Sequence, residues 1–244
     1  MLTYDNWYVS GFEAAIRGMR NPLNSHDKID SRWTNGYIDN DHVTVQSDGE
    51  YMEYQVGKND LKLMKTLSKA GSDHAKFLRM INVTVDITAP LYWWKEFDTY
   101  KVGTVANSCS TMHRLTHKPF ELSDFSFEHL IGCHSSVISN ILNGRTYREI
   151  EMTPYDTAKV LVDYLNELRE LYLETKSKEV WWQMIQLLPS SYNQKRTVQL
   201  NYQVLKNMYF ARRNHKLDEW HTLCDWMLML PLFQEICVEV HANE

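Results

Sequence analysis

Two periods of apolar and polar residues run along the chain. A period of two marks strands. Ile81–Ile87 (INVTVDI) alternates branched residues with others and predicts a strand that Pro90 stops. Val43–Val45 and Tyr51–Val56, separated by Ser47-Asp48-Gly49, predict a β-hairpin, because Asp-Gly supplies the positive φ of a tight turn. A period near 3.6 marks helices. Gly11–Met19 predicts a short amphipathic helix ending near Asn21-Pro22. Asn59–Ala70 predicts another, with Asn59 or Asp60 as its cap and Gly71 past its end. Leu91–Tyr100, rich in Trp and Phe, starts a helix at Pro90. The clearest helix opens at Thr153-Pro154: Thr153 can cap, Pro154 fits the first turn, and Val160, Tyr164, Leu165, Leu168, Leu171 and Tyr172 mark its apolar face. Glu179–Leu188, Thr197–Arg213 and Leu217–Leu230 predict three more. Asn24–Asn40 reads as a polar loop. Lys101–Thr111, small and polar, reads as a loop suited to touching a ligand. There is no repeat, low-complexity tract or linker, so the expectation is one α+β domain over residues 1–244.

Composition narrows the class. About 43% of the residues are hydrophobic, enough for a sizeable core, yet no run approaches the roughly 18–20 apolar residues of a membrane helix. The stretch from Met1 to Asn6 has no basic region followed by an apolar one, so the expectation is a cytoplasmic protein. The net charge of −5 argues against a polymeric nucleic acid as partner, since such binding runs on Lys and Arg neutralising phosphates. It leaves room for a small anion held by a few local cations. Cys109, Cys133, Cys224 and Cys237 form no C-x-x-C pair and read as reduced thiols. Eight Trp and fourteen Tyr fit either core and subunit contacts or stacking on a flat ligand.

Candidate chemistry is sparse. His113 and His117 stand four apart, but no further ligand stands at a matching spacing and no metal site is expected. No G-x-S-x-G, Walker A or G-x-G-x-x-G pattern occurs. The last third offers more. Asn201, Leu205, Asn207 and Arg212 fall at helical spacings, and Asn201 and Arg212, eleven apart, would share one side of a helix. Two amides and a guanidinium on one stripe need polar partners. Those partners are either a ligand or a solvated or subunit-contacting surface.

These residues resemble the flavin-dependent thymidylate synthases. In that family a Leu-Pro leads, twelve residues later, to the Asn of an N-x-R-x-L-x-x-F-like helix ending in Leu-Arg. Here Leu188-Pro189 leads to Asn201, then Gln203, Leu205, Asn207 and Arg212, with Tyr192 near the family's tyrosine. Upstream the family has a G-H turn, an F-T-F strand, and a helix running into R-H-R-x-x-S. Here stand Asp73-His74, Val83-Thr84-Val85, Pro90, Trp94–Asp98 and then Thr99-Tyr100-Lys101-Val102-Gly103-Thr104. One inserted residue later, Asn107 and Ser110 meet the family's Asn-Glu-x-Ser. The two blocks span residues 73–114 and 186–220, about a third of the chain. R-H-R-x-x-S has become T-Y-K-x-x-T. The family's arginines two residues after the Ser, four before the Leu-Pro proline and inside N-x-R are Met112, Ile185 and Gln203 here, with Arg114 a substitute for the first.

The resemblance implies a central, mainly antiparallel sheet with flanking helices. It implies methylation at C5 of a pyrimidine deoxynucleotide such as dUMP, with FAD as cofactor and methylenetetrahydrofolate and NADPH as co-substrates. It makes Arg212 catalytic. It assigns Glu96, Lys101, Thr104, Ser110 and Arg114 to the substrate, and His74, Tyr100, Asn107, Asn201, Gln203 and Asn207 to the cofactor. It implies a homotetramer with sites built between subunits. The alternatives are flavin- and folate-dependent hydroxymethylation, or a noncatalytic nucleotide- or flavin-binding homologue.

Overall fold

The computed structural model describes residues 1–35, 41–49, 52–133, 136–142 and 145–241, of which 113–114, 136–142 and 145–150 through their backbone alone. Strands are β1 (Thr3–Ser10), β2 (Arg32–Thr34), β3 (His42–Ser47), β4 (Glu53–Gly57), β5 (Asn82–Pro90), β6 (Val105–Ser108), β7 (Ser136–Leu142), β8 (Arg145–Met152) and β9 (Asn193–Asn201). Helices are α1 (Phe12–Arg20), α2 (Lys58–Lys69), α3 (Leu91–Phe97), α4 (Thr111–Arg114), α5 (Pro154–Thr175), α6 (Lys178–Leu187), α7 (Tyr202–Arg212) and α8 (Asp218–Leu228). One sheet has the order β1-β5-β9-β6. A second, β2-β4-β3, is antiparallel, and β7-β8 is an antiparallel pair. The fold is α+β, with antiparallel sheets and flanking helices. Contacts within the chain divide it into two compact units.

The larger unit holds Leu2–Ile87, Asp98–Asn107 and the stretch from Arg196 onward. Its strands alternate as their sequences require. Val83, Val85 and Ile87 of β5 and Val198 and Leu200 of β9 are buried. On the other face of β5, Asp86 accepts hydrogen bonds from Asn6 Nδ2 of β1 (3.0 Å) and Thr197 Oγ1 of β9 (2.6 Å). The expected hairpin is present: β3 pairs with β4, with a register shift between Thr44 and Gln46. The expected α1 is also present. Gly11 stands at its start with φ 92°, and a Cβ there would lie 2.1 Å from the Met80 carbonyl oxygen, so only glycine fits.

The start of α2 departs from expectation. Neither Asn59 nor Asp60 caps it; Gly57 precedes the first turn and contributes no side chain. The cap comes from elsewhere in the chain. The Asp30 carboxylate accepts from the Asn59 N–H (2.8 Å) and the Asp60 N–H (3.0 Å). Asp60, fully buried, receives Arg20 Nη2 at 2.6 Å and Nε at 3.0 Å. Its other oxygen accepts from the Asp30 and Ser31 N–H groups and from Ser31 Oγ. The loop expected over Asn24–Asn40 therefore carries structural ligands and the short strand β2; residues 36–40 lie outside the described residues.

The smaller unit holds Thr88–Phe97 and Ser108–Lys195, with Met1. Thr153 caps α5 through a reciprocal box with Asp156, and Ser177 caps α6. The two helices pack together. The buried stripe of α5 is Ala158, Val162, Leu165 and Leu168. Val160, Tyr164 and Leu171, expected on the apolar face, are 55%, 48% and 45% exposed. The core joins Leu165 and Val162 to Leu115, Phe120 and Phe125. Asn166 clamps that core's loop, accepting from the Phe120 N–H (2.7 Å) and donating to its carbonyl (2.9 Å). Trp93, Trp94 and Phe97 bury the face of α3, and Trp94 Nε1 donates to the Gln194 carbonyl at 2.9 Å.

Candidate functional site

The expected helix over Thr197–Arg213 is strand for its first third. Val198 and Leu200 are buried while Thr197 and Gln199 are exposed, a period of two that holds these residues in β9. Asn201 is thus the last residue of β9 and the cap of α7, not part of a helical stripe. Its Oδ1 accepts from the Val204 N–H at 3.1 Å. Gln203 and Asn207 do lie one turn apart on α7, where Gln203 Nε2 donates to Asn207 Oδ1 at 3.0 Å.

The polar segment from Tyr100 to Thr104 lies along α7. At one end Arg212 Nε donates to Tyr100 Oη at 3.0 Å. The guanidinium carbon sits 5.7 Å from the Tyr100 ring centroid and 4.8 Å from that of Trp220 on α8, a cation–π contact with each of two neighbouring rings. His215 meets the edge of Trp220 and accepts the Leu217 N–H at Nδ1. At the other end Gly103 has φ 78°, and a Cβ there would come 2.9 Å from Asn201 Nδ2 and 3.2 Å from Val204 Cγ2. Thr104 Oγ1 and Gln203 Oε1 are both buried and have no hydrogen-bond partner among the described residues. The structure therefore groups Tyr100, Gly103, Asn201 and Arg212 by direct approach, with Gln203 and Asn207 on the same helix.

The remaining expected residues of the larger unit are dispersed. His74 is exposed in the turn before the short helix at Ala75–Arg79, which packs against α7. Lys101 is exposed. Asn107 is exposed on β6, a strand where the sequence predicted loop. Gly103 and Trp220 were not singled out from sequence. Glycine among hydroxyl residues was the available signal for the first; for Trp220 there was none beyond its aromaticity.

In the smaller unit Glu96 is half-buried on α3, and Arg114 ends α4 with its side chain outside the described residues. Ser110 lines a cleft of about 290 Å³. Cys109 and Thr111 flank it there, Lys118 and Lys195 bring positive charge, and Leu115, Phe120 and Tyr192 supply apolar surface. The turn is pinned to β9: the Cys109 N–H donates to the Lys195 carbonyl (2.9 Å), and Gln194 Nε2 donates to the Cys109 carbonyl (3.0 Å) and Thr111 Oγ1 (3.1 Å). Lys118 sits 2.8 Å from Asp124, and that hydrogen bond raises its pKa. Lys195 and Gln194 were missed, because they lie in the stretch before the expected helix. Among the described residues no three His, Cys, Asp or Glu gather as a metal site. No described helix is long and apolar enough to cross a membrane.

No protein-family model matches the sequence, and no curated protein matches it. Solved structures do. A crystal structure of thymidylate synthase X (ThyX) from Helicobacter pylori with FAD and dUMP superposes over 98% of this chain and 97% of that one, with a TM-score of 0.59 at 15% identity. A second structure of the same enzyme, complexed with FAD and dUMP, agrees over 98% of both chains with the same TM-score. This chain has the flavin-dependent thymidylate synthase fold. The UMP/dUMP methylase PolB from Streptomyces cacaoi, bound with 5-Br dUMP, matches at a TM-score of 0.48 and 14% identity. At such identities the likeness is one of backbone path. On the flavin-dependent thymidylate synthase fold of this chain, the segment Tyr100–Thr104 and α7 are the places where polar side chains, a required glycine and unsatisfied buried atoms coincide.

Proposed function

We propose that this protein is a flavin-dependent enzyme that transfers one carbon to C5 of a pyrimidine deoxynucleotide, with dUMP the leading substrate and methylation the leading outcome. FAD is the cofactor, methylenetetrahydrofolate the carbon donor and NADPH the reductant. The reading treats residues 1–244 as one cytoplasmic functional domain that works as a homotetramer. Its support is a fold shared along 98% of the chain with an enzyme crystallised with FAD and dUMP. The single observation that carries it is the close approach of Tyr100–Gly103 to Asn201 and Arg212.

The residues fit a bound flavin and nucleotide on one physical ground. Thr104 Oγ1 and Gln203 Oε1, buried and unpartnered, cost free energy unless a ligand completes them, on the order of 1–3 kcal/mol each. His74, Tyr100, Asn107, Asn201, Gln203 and Asn207 would hold the flavin. Bound there, it supplies hydride chemistry that no side chain offers. Arg212 takes the catalytic role. Its guanidinium is oriented by Tyr100 Oη and the Trp220 face, and it stabilises negative charge as that builds on the pyrimidine ring. A group held in position before reaction does not have to reorganise during it, which is how such electrostatic stabilisation is won. Glu96, Lys101, Thr104, Ser110 and Arg114 orient the nucleotide.

The test is direct. Purified protein should be yellow or become so with FAD. Incubated with FAD, methylenetetrahydrofolate, NADPH and each pyrimidine deoxynucleotide, it should yield a product heavier by one methyl group, read by mass spectrometry. A hydroxymethyl mass would change the outcome but keep the chemistry class. A colourless protein that ignores FAD and leaves every nucleotide unchanged would overturn the enzyme reading in favour of a binding homologue.

A further inference from the structure

Two helices of this chain carry rows of charge of a single sign. On α2, Lys58, Lys62, Lys65 and Lys69 recur at spacings of four, three and four, which sets them along one side of the helix. The buried residues of α2 are Asp60, Met64 and Ser68; Lys58, Lys62 and Lys69 are exposed and Lys65 is half-buried. Lys58 pairs with Asp41, whereas Lys62, Lys65 and Lys69 form no ion pair among the described residues. On α5, Asp163, Glu167, Glu170 and Glu174 recur at the same spacings of four, three and four. All four are exposed, and none forms an ion pair among the described residues. Lys159 stands one turn before this row and Arg169 is half-buried, so the row keeps its sign.

We propose that α2 of one copy of this chain lies along α5 of a second copy, lysine row against acidic row, so that the protein associates with itself through a salt-sensitive contact between helices. The inference is independent of the enzymatic reading. A solvated helix face needs no counterpart; here the two rows share one period and opposite sign. Each spans eleven steps of its helix, about 16 Å, so the rows match in length as well. Like charges one turn apart destabilise their own helix, and a facing row of opposite sign relieves both helices at once. Complementary rows of this kind fix the register of two partners and speed their encounter. The apolar residues of α5 fit the same occupant. Val160, Tyr164 and Leu171 lie exposed beside the acidic row. Lysine stems are aliphatic, so they cover apolar surface while their ammonium groups reach the carboxylates.

The experiment is sedimentation velocity on the full-length protein at about 0.05 M and about 0.5 M salt, which brackets the screening of exposed charges. At low salt the mass of the wild type should rise with protein concentration, and at high salt it should fall. The triple variant Lys62→Glu, Lys65→Glu, Lys69→Glu should weaken this association at least about tenfold, because attractive pairs become repulsive. The triple variant Asp163→Lys, Glu167→Lys, Glu170→Lys should do the same. Far-UV circular dichroism should be unchanged in both, which controls for folding. Mixed in equal amounts, the two variants should recover the association, since the reversed rows suit each other and the rows left native still match. An oligomer of any size that ignores both salt and charge reversal overturns the inference. So does a mixture that fails to recover, the result expected if α5 serves a foreign basic helix or α2 a foreign anion.

Discussion

At the scale of single residues, three positions carry most of the argument. Arg212 is the first. Its guanidinium lies against both the Tyr100 and Trp220 rings and is tied to Tyr100 Oη, so it is oriented before any ligand arrives. Arg212→Ala should abolish product formation while shifting Tm only slightly, since an exposed-to-intermediate cation–π contact contributes about 0.5–2 kcal/mol. Arg212→Lys should not rescue, because an ammonium has no plane to stack. Turnover retained in the alanine variant would remove Arg212 from the chemistry. Gly103 is the second. A methyl group there meets Asn201 Nδ2 at 2.9 Å on a backbone of φ 78°. Gly103→Ala should destabilise by about 1–3 kcal/mol in urea unfolding and weaken FAD. Asp60 is the third. Its pairing with Arg20 is buried on both sides, so Asp60→Ala should cost about 3–5 kcal/mol by leaving an uncompensated cation.

At the scale of elements, the junction of β9 and α7 is where sequence reading and structure part. Helical spacing connected Asn201, Asn207 and Arg212 correctly from Asn207 onward. It failed at Asn201, because the alternation of Thr197, Val198, Gln199 and Leu200 obeys the sheet. The cap role gives Asn201 two duties. Asn201→Ala should cost about 1 kcal/mol of stability through the lost bond to Val204 and should weaken FAD more than dUMP in titration. Equal FAD affinity would contradict the assignment. The start of α2 teaches the same lesson. Its cap is the Asp30 carboxylate, and no local spacing rule reaches back that far. Burial alone would raise the Asp30 carboxyl, but the Asn59 and Asp60 N–H groups outweigh it and hold the group below the ordinary carboxylate range. A depressed carboxyl contributes stability above its unfolded pKa and loses it as pH falls through the folded value. Tm should therefore be flat near neutrality and fall below about pH 4, and Asp30→Asn should flatten that acid limb.

At the scale of the whole molecule, the sequence by itself determined the class and most elements. The Ile81–Ile87 alternation, the Asp-Gly hairpin and the Thr153 cap are local signals, written in a few consecutive residues, and each produced its element. The resemblance in residues 73–114 and 186–220 reached the right fold from about a third of the chain. Only the tertiary structure decided which residues meet. Val160 and Leu171 are apolar like Leu165, yet the packing of α5 leaves them exposed, with Tyr164, since a helix has one buried stripe and the neighbouring core chooses which. Ser110 and Lys195, or Gly103 and Asn201, come together through chain closure over roughly a hundred positions, which neither periodicity nor spacing encodes. Secondary structure follows from nearest neighbours along the chain; a site follows from nearest neighbours in space.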